Sequence, residues 1–207
     1  MKLKSNHSYF FNYKRHAYPV MNLRGGYNNN ALVNIFKLTE LMLIMYSRVL
    51  VFRIDFHLKN FTDDNKLISD FLSKYIVNLV QIYKCKVTYI CAREQSKSKV
   101  QHYHLAFFLS GHKVRYPNKI INECKSTWEL HSNGTAYFPK NCYYMLIRGD
   151  KKTIDPCMYR LSYLVKNYTK DKNGRARSYL MSRIRKDTDT KNDYAFVSPN
   201  ITKITIN

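Results

Sequence analysis

Acidic residues are scarce in this chain. Its 207 residues carry 14 Asp+Glu against 35 Lys+Arg, a formal net charge of +21. A deficit of that size points to polyanionic partners, because each neutralised phosphate releases condensed counterions. The basic residues run from Lys2 to Lys203 rather than gathering on one amphipathic helix, which favours nucleic acid over a membrane surface. Paired cysteines are missing as well. Cys85, Cys91, Cys124, Cys142 and Cys157 are odd in number and form no CxxC, which argues against a disulfide frame or a cysteine-built zinc site. They fit free thiols in a reducing compartment. The apolar run from Leu41 to Tyr46 is too short to span a bilayer, and Arg48 follows it. The N-terminus is basic and polar, with no apolar signal core. A soluble cytoplasmic protein without a membrane partner is expected. No GxxxxGK[ST] phosphate loop occurs, so a built-in helicase motor is excluded. There is no internal repeat and no low-complexity tract.

The remaining composition is that of a folded protein, 45% hydrophobic and 14% aromatic. The length predicts one domain with a modest appendage. Residues 1–27 and the Asn/Gly-rich stretch after them read as a basic arm. Helical spacing covers Ala31 to Tyr46, and Val49 to Leu58 alternates as a strand. Capping residues at 62–65 precede a helix from about Lys66 to Tyr83. Val87 to Glu94 and Gln101 to Leu109 read as two strands joined by a polar loop, which must be an antiparallel hairpin because so short a connection cannot make a parallel crossover. Pro117 opens a helix to about Leu130. Short strands follow at Thr135 to Phe138 and Cys142 to Ile147, then a helix from about Ile154 to Tyr168. Lys170 to Asp193 is charged, with few apolar anchors. The pattern predicts an α+β fold: a central antiparallel β-sheet, helices on one face and the other face open for chemistry. The expected partition is 1–47 arm and leading helix, 48–185 main domain, 186–207 tail.

The most informative string is Gln101-His102-Tyr103-His104-Leu105. Strand alternation puts His102 and His104 on one face, and two imidazoles side by side suit a divalent metal. Two ligands leave a metal under-coordinated, and Glu94 lies across the hairpin from His102 as the candidate third. Such a set suits Mg²⁺ or Mn²⁺ near phosphate. Asp55 and His57 are reserve candidates, although Asp55 reads more simply as a surface partner of Arg53. Downstream, Tyr159, Tyr163 and Lys166 share a helical face if their segment is helical. A phenol is a weak nucleophile at neutral pH, so a catalytic tyrosine would need a metal and a helper such as Lys166. Arg53, Lys97, Lys99, Lys113, Arg115 and Lys119 are the candidate DNA-phosphate contacts, interspersed with Tyr103, Tyr116 and Trp128.

Together the histidine strand and Tyr159-Arg160-Leu161-Ser162-Tyr163-Leu164-Val165-Lys166 resemble HUH endonucleases, most closely the replication initiators of filamentous phages and their prophage relatives. The likeness spans roughly residues 48–185. It takes in Val51-Phe52-Arg53-Ile54-Asp55, the stretch from Arg93 to Lys99, Ser110-Gly111-His112-Lys113 and Tyr116-Pro117-Asn118-Lys119-Ile120. It implies an RRM-like palm with the tyrosine helix over its open face. It also implies nicking and rejoining of single-stranded or hairpin DNA at a rolling-circle replication origin, through a 5′-phosphotyrosine on Tyr163. On that likeness His102, His104 and Glu94 hold the metal and Lys166 assists. Tyr159 takes the place of the second tyrosine that some initiators use, whereas the filamentous-phage-like set is mainly single-tyrosine. A host helicase and DNA polymerase, in a bacterial cytoplasm, would complete replication. A transposase or relaxase shares this chemistry, and a non-catalytic DNA-binding protein derived from an initiator would explain the charge equally well.

Overall fold

The computed structural model describes residues 9–95, 98–114, 116–168, 170, 176–185 and 195–197. The chain opens with an antiparallel hairpin, β1 (Tyr9–Tyr13) and β2 (His16–Val20), followed by α1 (Asn29–Met45), β3 (Arg48–His57) and α2 (Lys66–Tyr83). Then come the hairpin of β4 (Thr88–Glu94) and β5 (His102–Ser110), α3 (Asn118–Ser132), β6 (Thr135–Tyr137), β7 (Tyr143–Ile147) and α4 (Lys151–Ser162). Last are β8 (Tyr179–Met181) and a small antiparallel pair, β9 (Arg183–Arg185) with β10 (Ala195–Val197). This is an α+β fold around one six-stranded antiparallel sheet. Its order is β6-β3-β5-β4-β8, and β7 pairs with β3 further along the same edge as β6.

Local signals set several boundaries. The Asn28 side chain accepts from the Ala31 N–H at 2.9 Å and starts α1; Asp150 does the same for Lys152 at the start of α4. Lys84 and Asn133, both left-handed, end α2 and α3. The expected hairpin of β4 and β5 is present.

The sheet is covered on both faces. Leu50, Phe52, Ile54 and Phe56 alternate onto one face and form a core with Tyr103, Leu105, Phe107 and the apolar stripes of α2 and α3. Val49, Val51, Ile90, Ala106 and Phe108 point the other way, against α1 and α4. The tyrosine helix therefore lies over the second face as expected, but α1 and the N-terminal hairpin share that face with it. Phe11 and Tyr13 stack on Phe36 of α1, Tyr18 lies tilted against it, and Val20 is buried in the same core. The expected arm is thus packed structure from residue 9 onward, held by aromatic burial. β8 has no counterpart among the strands expected from the sequence. Three residues with one short apolar stretch carry little periodicity, and only pairing with β4 makes them a strand.

Candidate functional site

Covering the second face halfway along the strands leaves its polar end distinct. Two cross-strand rows lie there. One is Glu94–His102–His57, the other Ala92–His104–Asp55. Directly opposite residues share a face and lie close, so register alone brings the predicted trio together. Oε2 of Glu94 is 3.2 Å from Nε2 of His104 and 3.7 Å from Nε2 of His102. One ligand atom from each of Glu94, His102 and His104 falls within 4.8 Å of the others, so the group could hold a metal ion.

Two of these donors, Glu94 and His102, are in the protonation state that binds a cation, and His104 must release a proton to join them. Burial and neighbouring His104 push the His102 imidazole down to about 4, against the pull of Glu94, so its ring is neutral at physiological pH and has a lone pair to give. Burial alone would raise the Glu94 carboxyl. His104, Lys170 and Lys166 outweigh it and hold the group ionised, well below the carboxylate range. His104 is raised: burial opposes its charged form, but Asp55 and Glu94 on its two sides prevail. Nδ1 of His104 lies 2.8 Å from Oδ1 of Asp55, at ion-pair distance but off hydrogen-bonding alignment. This contact orients the ring so that the opposite nitrogen faces Glu94.

Tyr163 and Lys166 arrive from above. Here α4 tightens into a 3-10 turn over Tyr163–Val165. Residues three apart eclipse in a 3-10 helix, so Lys166 folds back over Tyr163, its Nζ 3.7 Å from the ring centre. The same ammonium lies 2.8 Å from Oε2 of Glu94. The Tyr163 ring stands edge-on to His104 at 5.7 Å and has the Arg53 guanidinium 6.0 Å away. Burial pushes Lys166 down, but Glu94 and Tyr163 more than offset it, and the lysine stays charged.

The N-terminal segment holds this turn in place. Gly25 and Gly26 both adopt positive φ, +74° and +67°, which glycine takes without steric cost. The loop they make accepts from the Asn167 side chain through Gly25 and from its backbone N–H through Gly26. Asn28 N–H donates to Val165, and Met21 N–H to the buried Ser162 hydroxyl. The Asn/Gly-rich stretch is a clip on the tyrosine segment, a role no local pattern reveals.

The structure gathers Glu94, His102, His104, Tyr163, Lys166 and Arg53. Tyr159 sits one turn earlier on α4 and is 40% exposed. Among the described residues no ion pair or ring contact ties it to the trio. Arg53 is buried against Asp55 and Tyr163 rather than lining an open groove. Lys99 is exposed beside the tip of the β4–β5 hairpin. Lys113 follows the far end of β5, whose last residue is roughly 20–27 Å along the strand from the two histidines at 3.4 Å per residue, and Lys119 opens α3, near Glu123. These three do not form one stripe with Arg53. Lys97 and Arg115 lie outside the described residues. Trp128 and Tyr103 belong to the core. Asp55 is buried beside both Arg53 and His104, not a surface partner.

Lys170 is a functional-site residue with no sequence signal. Its Nζ is 2.8 Å from Oε1 of Glu94 and donates to the Arg93 carbonyl at 3.0 Å, and no motif surrounds it.

A family model, the YagK/YfjJ C-terminal domain, matches residues 11–182, which is the stretch from the first strand to the end of β8. The chain belongs to the YagK/YfjJ C-terminal domain family. Its match takes in the N-terminal hairpin and α1, in keeping with their packing into the shared core. No curated protein and no solved structure matches the chain.

Proposed function

We propose that the chain is a metal-dependent tyrosine endonuclease and strand transferase of the HUH kind. It would nick and rejoin single-stranded or hairpin DNA in rolling-circle replication of a phage, plasmid or prophage element. One observation carries the reading. A single buried ammonium, that of Lys166, touches both Glu94 of the metal-ligand group and the ring of Tyr163. Nucleophile and ligand trio thereby belong to one constellation. The charge of +21 supports a polyanionic substrate.

In this reading the Tyr163 phenol gives up its proton to solvent water, which later returns one to the departing oxygen, and the phenol oxygen attacks the scissile phosphorus. The P–O3′ bond breaks, and the departing 3′ oxygen is protonated to a free hydroxyl. The 5′ phosphate stays on Tyr163 and conserves the diester's energy for the reverse reaction. Lys166 stabilises the developing phenolate. Asp55 holds the His104 ring, and Arg53 braces both Asp55 and Tyr163. A divalent cation on Glu94, His102 and His104, Mg²⁺ or Mn²⁺, would draw charge from the phosphoryl oxygens. The basic surface binds the DNA, and unwinding and synthesis fall to a host helicase and polymerase.

The test is a covalent adduct. Native chain, Mn²⁺ and a randomised single-stranded DNA pool should yield a protein–DNA species that survives denaturation, and Tyr163→Phe should abolish it. An adduct of undiminished yield in Tyr163→Phe would sink the assignment.

A further inference from the structure

The row through His104 extends past the site in both directions. Pairing places Tyr137, Asp55, His104, Ala92 and Tyr179 side by side across five strands on one face. On the β8 side the row is closed. The Tyr179 ring packs against the second core and lies 5.3 Å from the Lys170 ammonium, which is itself held by Glu94. On the β6 side it ends on an open aromatic. Tyr137 is 62% exposed, whereas Ala136 beside it packs on the opposite core, so alternation turns Tyr137 to the face of the metal centre.

The strand bearing Tyr137 is anchored. Trp128 Nε1 donates to the Thr135 carbonyl at 3.2 Å, and the Ala136 N–H donates to Glu129 at 3.2 Å. Gly134 passes so close to the His57 carbonyl that a Cβ there would collide with it. Tyr137 is thus a rigidly based ring at the sheet edge, two strand spacings or about 10 Å from His104. The neighbouring row ends similarly, on exposed Thr135 and on His57, whose ring stacks on His102 at 5.4 Å. The edge beside the metal centre therefore presents the exposed rings of Tyr137 and His57. Nucleobases stack on such rings with little dependence on sequence.

We infer that Tyr137 is a stacking platform for a nucleobase beside the scissile phosphate, so that single-stranded DNA enters the site over the β6 edge. The inference rests on the nickase reading for the class of ligand.

The test uses the DNA sequence recovered from the adduct of the native chain. Binding of that strand is measured in EDTA, so that no chemistry intervenes, for native chain, Tyr137→Phe and Tyr137→Ala. Tyr137→Ala should weaken binding roughly 5- to 160-fold, the range found for losing one base–aromatic stack, while Tyr137→Phe stays within about twofold of native. Removing one base near the nick should reduce native binding by a similar factor and leave Tyr137→Ala indifferent to that removal. Thermal unfolding should be unchanged in both variants, because the side chain is exposed. Native adduct formation with equal affinity for native and Tyr137→Ala overturns the platform alone. If the native chain gives neither adduct nor single-strand binding, the nickase reading fails and the platform with it.

Discussion

The Lys170 ammonium lies 2.8 Å from Oε1 of Glu94, on the oxygen that Lys166 and His104 leave free. Two lysines thus share one buried carboxylate, and the fold treats them differently. Lys166 is held above its ordinary range. Burial outweighs Glu94 at Lys170 and pushes it down to about 8.

The two lysines should respond differently to replacement. Lys166→Met removes a charge that the fold stabilises and should cost about 1–3 kcal/mol at neutral pH. Lys170→Met removes one that burial opposes, and its cost should be the smaller of the two. Because the folded value of Lys170 lies below its unfolded one, its contribution is fully present above about pH 10.5 and is lost as pH falls through about 8. Urea denaturation in EDTA should show native chain gaining stability over that window relative to Lys170→Met. Parallel profiles would contradict the assignment.

Metal should stabilise the native chain. At a hundredfold excess of Mn²⁺ over its dissociation constant the gain is about 2.7 kcal/mol. A combined His102→Ala, His104→Ala chain should show no such gain by calorimetry. A gain that persists in that variant would place the metal elsewhere.

Without metal, His102 should make the protein acid-sensitive. Its folded value of about 4 lies below the unfolded 6.5, so its stabilising contribution is complete above pH 6.5 and is lost as pH falls towards 4. The loss is on the order of 2–4 kcal/mol. His104 works in the opposite direction, being raised, so the comparison must be with His102→Asn. That variant should show a flatter decline between pH 6.5 and 4, read from urea midpoints across the range.

Thiol chemistry should follow burial. Cys91, Cys124 and Cys157 are buried, and desolvation pushes their thiols far up, so they should resist alkylation until the chain unfolds. Cys142, only partly buried, should react first. Mass spectrometry after brief maleimide exposure would show this, and early labelling of Cys157 would mean that α4 opens.

Tyr159→Phe should leave adduct yield within about twofold of native, because Tyr159 makes none of the ring contacts that tie Tyr163 to His104 and Lys166. Loss of the adduct in Tyr159→Phe would make both tyrosines nucleophiles.

Much of the site was legible because its geometry is local. Alternation in a single strand puts His102 and His104 on one face. A loop of a few residues forces a hairpin, and the hairpin sets Glu94 opposite His102. The helices and the main strands followed from periodicity and capping. What escaped depends on contacts between residues far apart in the chain. Asp55 reads as a surface acid until β3 pairs with β5 and delivers it to His104. Lys170 carries no pattern at all; its backbone N–H donates to the Asn167 carbonyl, and only the packing of that turn against the end of β4 brings its ammonium to Glu94. The stretch from Gly25 to Asn28 reads as an arm because its partners, Asn167 for the glycines and Val165 for Asn28, lie some 140 residues further on. The scattered basic residues look like one set on paper, yet β5 is long enough to separate Lys113 from the histidines. Sequence by itself determined which side chains share a face, since that is a property of backbone period. Which faces meet, and which charges are buried together, was decided by tertiary packing, because register and burial arise only when distant segments compete for the same apolar surface.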